Sequence, residues 1–149
     1  MNTNRQTIEK MLEAMDKEIK MTMETSQTSI TRPNLLTVEM TGAAVGLSTV
    51  KDKVKNLLNR NEFVNTFHVS ELARIDAQTI KDKQDKIKPP QIEKFKDELY
   101  KEGYARSFYY GLDVGRGYID ALIRLEVERE NIRKQKQQTQ QQQHIDIRR

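Results

Sequence analysis

The residues of this chain best equipped for chemistry are few and scattered. It has no cysteine and only two histidines, His68 and His144, far apart in the sequence. A zinc site needs several closely spaced His, Cys or carboxylate ligands, and no such set occurs. The acids alternate with lysines, as in KDKQDK at 81–86, which is the pattern of a solvated helix face. Asp113 and Asp120 flank a group of glycines but lack the oxygen-ligand spacing of a calcium loop. With no nucleophile–base or metal arrangement to assign, the chain reads as non-enzymatic, with no catalytic, metal-ligating or cofactor-binding residue.

One stretch, EGYARSFYYGLDVGRGYIDALIRLE at 102–126, stands out from a lysine- and glutamine-rich background. Residues 100–118 hold all five tyrosines and four of the six glycines. A phosphate-cradling loop would need glycines in a strand-to-helix turn. Gly111, Gly115 and Gly117 have the spacing G-x-x-x-G-x-G instead, and no strand signal precedes them. Ser107, Gly111 and Gly115 recur every four residues, as do Gly117 and Ala121, so on a helix they form strips without side-chain bulk. Gly42 and Gly46 repeat the device upstream. Each interior glycine costs a helix about 1 kcal/mol relative to alanine, so the two strips are expected to face each other, within one chain or between two. The competing expectation is a kink or break at Gly115–Gly117.

The tyrosines divide by phase. Tyr104 falls on an apolar stripe with Phe108 and reads as core, whereas Tyr109, Tyr110 and Tyr118 point elsewhere and suit an interface. With Arg106, Arg116 and Arg124 nearby, a base-stacking platform for single-stranded nucleic acid is the rival reading.

The elements that must position these residues read as helices. Ile8, Met11, Leu12, Met15, Ile19 and Met23 make one stripe over a helix at about 5–24, with Thr3 and Gln6 at capping-box spacing. TSQTSITRPN at 25–34 reads as a linker. Leu36, Met40, Ala43, Leu47, Val50, Val54 and Leu57 alternate in steps of four and three, a heptad seam on a helix at 35–60 capped by Asn34, which extends three times further than the rival strand pattern at LLTVEM. Phe63, Val64 and Phe67 follow as a short helical turn or as an extension of the next helix. Leu72, Ile75 and Ile80 face inward on a helix at 70–88, stopped by Pro89-Pro90. The last helix is expected over 91–130, its stripe opening with Ile92, Phe95 and Leu99.

The fold class is therefore all-α: an elongated, coiled-coil-like bundle of four to five helices in a single domain over 1–130, followed by a basic, glutamine-rich tail at 131–149. Of 149 residues, 36% are apolar and 32% charged, and there is no tryptophan, which suits narrow seams better than a thick core. The net charge of +4 lies wholly in the tail, where Arg133, Lys134, Lys136, Arg148 and Arg149 oppose Asp146 alone. That tail is expected to extend the last helix when a partner packs it and to be disordered otherwise, and to reach nucleic acid or an acidic surface through its bases. No signal peptide or membrane span is evident, so a soluble protein of the cytoplasm or a virion is expected.

VGLSTVKDKVKNLLNRNEFV at 45–64 resembles the recognition-helix region of winged-helix DNA-binding proteins, where a Gly-Leu-Ser turn leads into Thr-Val and a basic helix. The resemblance implies that Lys51, Lys53 and Lys55 contact DNA, mainly at phosphates. The heptad runs through Gly46–Ser48 without a change of phase, so the same residues also satisfy an unbroken helix. Of these alternatives the leading expectation is an assembly or adaptor protein that acts by oligomerisation with itself or with a larger structure. By architectural analogy it is a phage or viral scaffold, connector or core component. A DNA-binding regulator is the alternative. The expected interface comprises Leu36, Met40, Gly42, Ala43, Gly46, Leu47, Val50, Val54, Leu57, Ser107, Tyr109, Tyr110, Gly111, Gly115 and Tyr118.

Overall fold

The computed structural model describes residues 1–28, 34–60, 62 and 64–147; the side chains of 26–28 and 141–147 lie outside that description. Among the described residues the order is β1 (Asn2–Asn4), α1 (Arg5–Thr28), α2 (Leu35–Leu58), β2 (Thr66–His68), α3 (Val69–Gln84), a 3-10 turn (Ile92–Lys94) and α4 (Glu98–Ile147). The fold is an all-α helical bundle with one two-stranded sheet.

Helix directions follow from side-chain partners. Arg5 at the start of α1 donates to the Leu58 carbonyl at the end of α2, and Asp16 pairs with Lys51, so α1 and α2 are antiparallel. Leu35 lies against Gly103 and Val50 against Gly115, so α2 and α4 run parallel. Asp76 meets Arg116 and Lys83 meets Asp113, which sets α3 antiparallel to α4. The core runs between them through Ile8, Met15, Val50, Val54, Leu72, Phe108, Leu112 and Ile119, each at most 1% exposed. No buried side-chain nitrogen or oxygen lacks a partner among the described residues.

Several local expectations are corrected. Thr3 is not the α1 cap: Asn4 Oδ1 accepts from the Gln6 N–H at 2.9 Å, while Thr3 is buried in β1. Phe67 belongs to no helical turn but to β2, opposite Thr3. A lone three-residue strand carries too little periodicity to be legible. Val64 is exposed, and Phe63 lies outside the described residues.

Helix α3 stops at Gln84, before the prolines. The Ile87 N–H bonds the Asp82 carbonyl at 3.0 Å and the Lys86 N–H that of Lys83 at 3.2 Å, a Schellman termination with Lys86 left-handed at φ 52°. After Pro90 only a 3-10 turn, Ile92–Lys94, precedes α4, which begins at Glu98 rather than at 91. Phe95 instead packs on Tyr104 with ring centroids 5.0 Å apart, and Leu99 is exposed.

Helix α4 runs uninterrupted through Gly115–Gly117, so the continuous helix holds and the competing break is absent. It continues as helix through most of the expected tail, to Ile147. Asn34 caps α2 as expected, accepting from the Thr37 N–H at 3.0 Å.

Candidate functional site

Helix α2 meets α4 through glycine. A Cβ added at Gly42 would stand 2.5 Å from the Tyr104 carbonyl oxygen, and one at Gly46 would stand 2.9 Å from Gly111 Cα. A Cβ at Gly111 would stand 2.8 Å from the Leu47 nitrogen, and one at Gly115 would press on the Val50 side chain. The two glycine strips thus face each other within one chain. Ser107 is buried beside Gly42. Gly117, expected in a second strip with Ala121, has nothing within 4 Å of its missing Cβ, and both residues are exposed.

This seam corrects half of the expected interface. Leu47, Val50, Val54 and Leu57 are at most 6% exposed, as are their neighbours Val38, Ala44 and Leu58, so they are buried inside the chain rather than between chains. The other end of the heptad stays open: Leu36 is exposed, and Met40 and Ala43 are half-buried. The reason lies in direction. Gly42 and Gly46 draw α4 onto one flank of α2 while α1 takes the other, and the N-terminal turns of the heptad are left facing the space between them.

That space is a groove with α2 as its floor and α1 and α4 as its walls. Two adjoining hollows of about 480 and 420 Å³ open along it, sharing Glu18, Thr22 and Met40. Ala14 and Met21 line the α1 wall; Tyr110, Val114 and Tyr118 line the α4 wall. Tyr118 donates its hydroxyl to Glu18 across the groove; burial and then this carboxylate push its phenol up to about 12. Met21, Leu36 and Tyr110 are the open apolar surfaces at 58%, 57% and 64% exposure.

Tyr109, expected at an interface, turns to its own chain. It is half-buried against the core, its hydroxyl donates to the Ile87 carbonyl at 2.6 Å, and its pKa is raised by burial. Tyr104 likewise donates to the Pro90 carbonyl at 2.7 Å. The contributions of α1 and of Val114 are missing from the sequence reading. Tyr110, Val114, Tyr118, Ala121, Leu125 and Ile132 form a second stripe along α4 in helical steps, a signal overshadowed by the core stripe through Tyr104 and Phe108.

The arginines beside the tyrosines are engaged rather than arrayed for stacking. Arg106 pairs with Glu39, Arg116 with Asp76 and Asp113, and Arg124 with Asp120. The winged-helix segment is also corrected, because Gly46–Ser48 lie inside α2 rather than in a turn. Lys51 pairs with Asp16 at 2.8 Å, which holds that carboxyl down at about 2 together with Lys20. Lys53 pairs with Asp82 at 2.6 Å; burial raises the Asp82 carboxyl, but bonds from Lys53 and Gln78 hold it below its usual range.

Beyond Glu126, α4 leaves the bundle. Residues 127–147 amount to about 30 Å of helix at 1.5 Å per residue. Residues 131–140, with Arg133, Lys134 and Lys136, are all exposed, and Arg148 and Arg149 lie outside the described residues. No described helix is long and apolar enough to cross a membrane, and no described group of His, Asp and Glu is placed to hold a metal ion.

Comparison with known proteins returns no matching family model, no matching curated protein and no matching solved structure.

Proposed function

We propose that this chain is a non-enzymatic assembly protein that acts by oligomerisation, in the manner of a phage or viral scaffold, connector or core component. One observation carries the proposal: α4 runs on as helix from residue 127 to 147, past the bundle, and its residues 131–140 are all exposed. Isolated helices of this length are marginal in water, and a helix that buries no face draws no stability from tertiary packing. A partner supplies what the chain lacks. The open end of the α2 heptad and the adjoining groove give that partner an apolar seat.

The test is mass in solution by light scattering over a range of concentrations. An oligomer is the expected result, and a monomer throughout overturns the reading.

A second reading rests on the overhang's charge. Lys134 and Lys136 make no ion pair among the described residues. Binding to a polyanion through them would fall steeply with salt and disappear on truncation after residue 130. Binding that survives the truncation rejects this reading.

A further inference from the structure

We infer that the groove between α1 and α4 receives the projecting end of α4 from a second copy of this chain, in a two-fold antiparallel exchange centred near Ala121. The inference rests on the oligomeric reading above and specifies its geometry.

The acceptor and the projecting segment lie on one helix. Tyr110, Val114 and Tyr118 form the α4 wall of the groove, and the same stripe continues through Ala121 to Leu125 and Ile132, which are 40% and 44% exposed beyond it. A two-fold pairing needs one patch to complement itself, which a stripe spanning groove and overhang can do. Tyr110 and Ile132 each lie eleven residues from Ala121. An antiparallel partner centred there therefore sets the second copy's Ile132 over Tyr110 and the groove, and the reverse by symmetry. The small exposed side chain at Ala121 lets the two helices approach at the axis.

Charge supports the same register. Glu18 reaches Tyr118, three residues before Ala121, and so comes level with the second copy's Arg124, three residues after it, whose exposed pairing with Asp120 in its own chain it would join. Glu39 reaches Arg106 and comes level with the second copy's Lys136. Lys17 also lines the groove and Arg106 pairs with Glu39 at its side, so the match is carried by the two carboxylates and not by the net charge of the surface.

Area supports the second copy as well. The chain exposes 10209 Å², about 2,300 Å² more than the roughly 7,900 Å² of a folded monomer of its mass. A standard interface takes about 800 Å² from each partner, well within that surplus.

Two variants of the full chain test this. Ala121→Cys introduces the only thiol, and at a two-fold axis the two Cβ atoms fall within disulfide reach, roughly 3.5–4.5 Å. A covalent dimer under mild oxidation is expected. Ala77→Cys, on the exposed surface of α3, is expected to give none. Ile132→Glu, on the overhang where it cannot disturb the core, should weaken association at least tenfold by light scattering. An oligomer in which Ala121→Cys fails to cross-link, or whose mass Ile132→Glu leaves unchanged, overturns this pairing and leaves the assembly reading standing. A chain that is monomeric throughout overturns both.

Discussion

Gly46 and Gly111 bring the backbones of α2 and α4 into direct contact, so that a Cβ on Gly46 would stand 2.9 Å from Gly111 Cα. Alanine usually strengthens a helix over glycine by about 1 kcal/mol. Here the added methyl meets backbone atoms, which cannot swing aside as a side-chain tip would. Gly46→Ala and Gly111→Ala should each destabilise the fold by about 1–3 kcal/mol, the cost of overpacking. Gly117→Ala, with nothing within 4 Å, should stabilise it by about 0.5–1 kcal/mol. Melting midpoints moving in opposite directions along one helix would check both.

Thr3 donates to Glu126 at 2.9 Å across nearly the whole length of the chain, and Arg129 donates to the same carboxylate at 2.9 Å. Thr3 and Glu126 are both buried, so the bond ties β1 to α4 where that helix leaves the bundle. Glu126→Leu leaves the Thr3 hydroxyl buried without a partner, and a loss of about 1–3 kcal/mol in denaturant unfolding is expected. The double variant with Thr3→Val should recover part of it.

Lys86 holds the left-handed position that closes α3, at φ 52°. Glycine adopts that conformation without steric cost, whereas an ordinary L-residue loses roughly 1–2 kcal/mol there. Lys86→Gly should therefore raise stability by up to about 1 kcal/mol, because glycine's larger unfolded-state entropy offsets part of the gain. A lower melting midpoint would contradict the Schellman geometry.

Asp16 has a carboxyl depressed from 3.8 to about 2 by hydrogen bonds from Lys51 and Lys20. A folded-state pKa below the unfolded one stabilises the fold above the unfolded value, and that contribution is lost as pH falls through the folded value. Acid unfolding should thus steepen between pH 3.8 and about 2. Asp16→Asn should flatten that part of the profile.

Tyr118 has the opposite sign. Its phenol is raised from 10.0 to about 12 by burial and by Glu18, so its contribution is complete below pH 10.0 and is lost as pH rises through about 12. Tyrosinate absorbance should show a late-titrating phenol that Tyr118→Phe removes. Glu18→Gln should bring that step to lower pH.

The helices themselves were largely legible. Ile8, Met11 and Met15, and likewise Leu47, Val50 and Val54, repeat at the helical period over several turns, long enough for the pattern to exceed chance. Asn34 announces its helix by cap chemistry alone. The three-residue strands were not legible, because their pairing joins residues 2–4 to 66–68 and no local pattern records a partner so far away. The early end of α3 was hidden for a related reason: Lys86 carries no glycine signature, although the backbone there is left-handed.

For the candidate site, the residue types were in plain view and their grouping was not. Met40, Tyr110 and Tyr118 were singled out, but Ala14, Met21 and Val114 were not, since a groove between α1 and α4 exists only once both are docked on α2. By itself the sequence determined that the chain is helical, that two glycine strips are matched, and that positive charge gathers at the C-terminus, because periodicity, side-chain size and charge are local properties. Only the tertiary structure decided that the strips close within one chain, that Tyr109 is half-buried while Tyr110 is open, and that α4 outruns its bundle. Those outcomes depend on which helix faces take up which neighbours, and burial of one flank of α2 settles what remains exposed on the other.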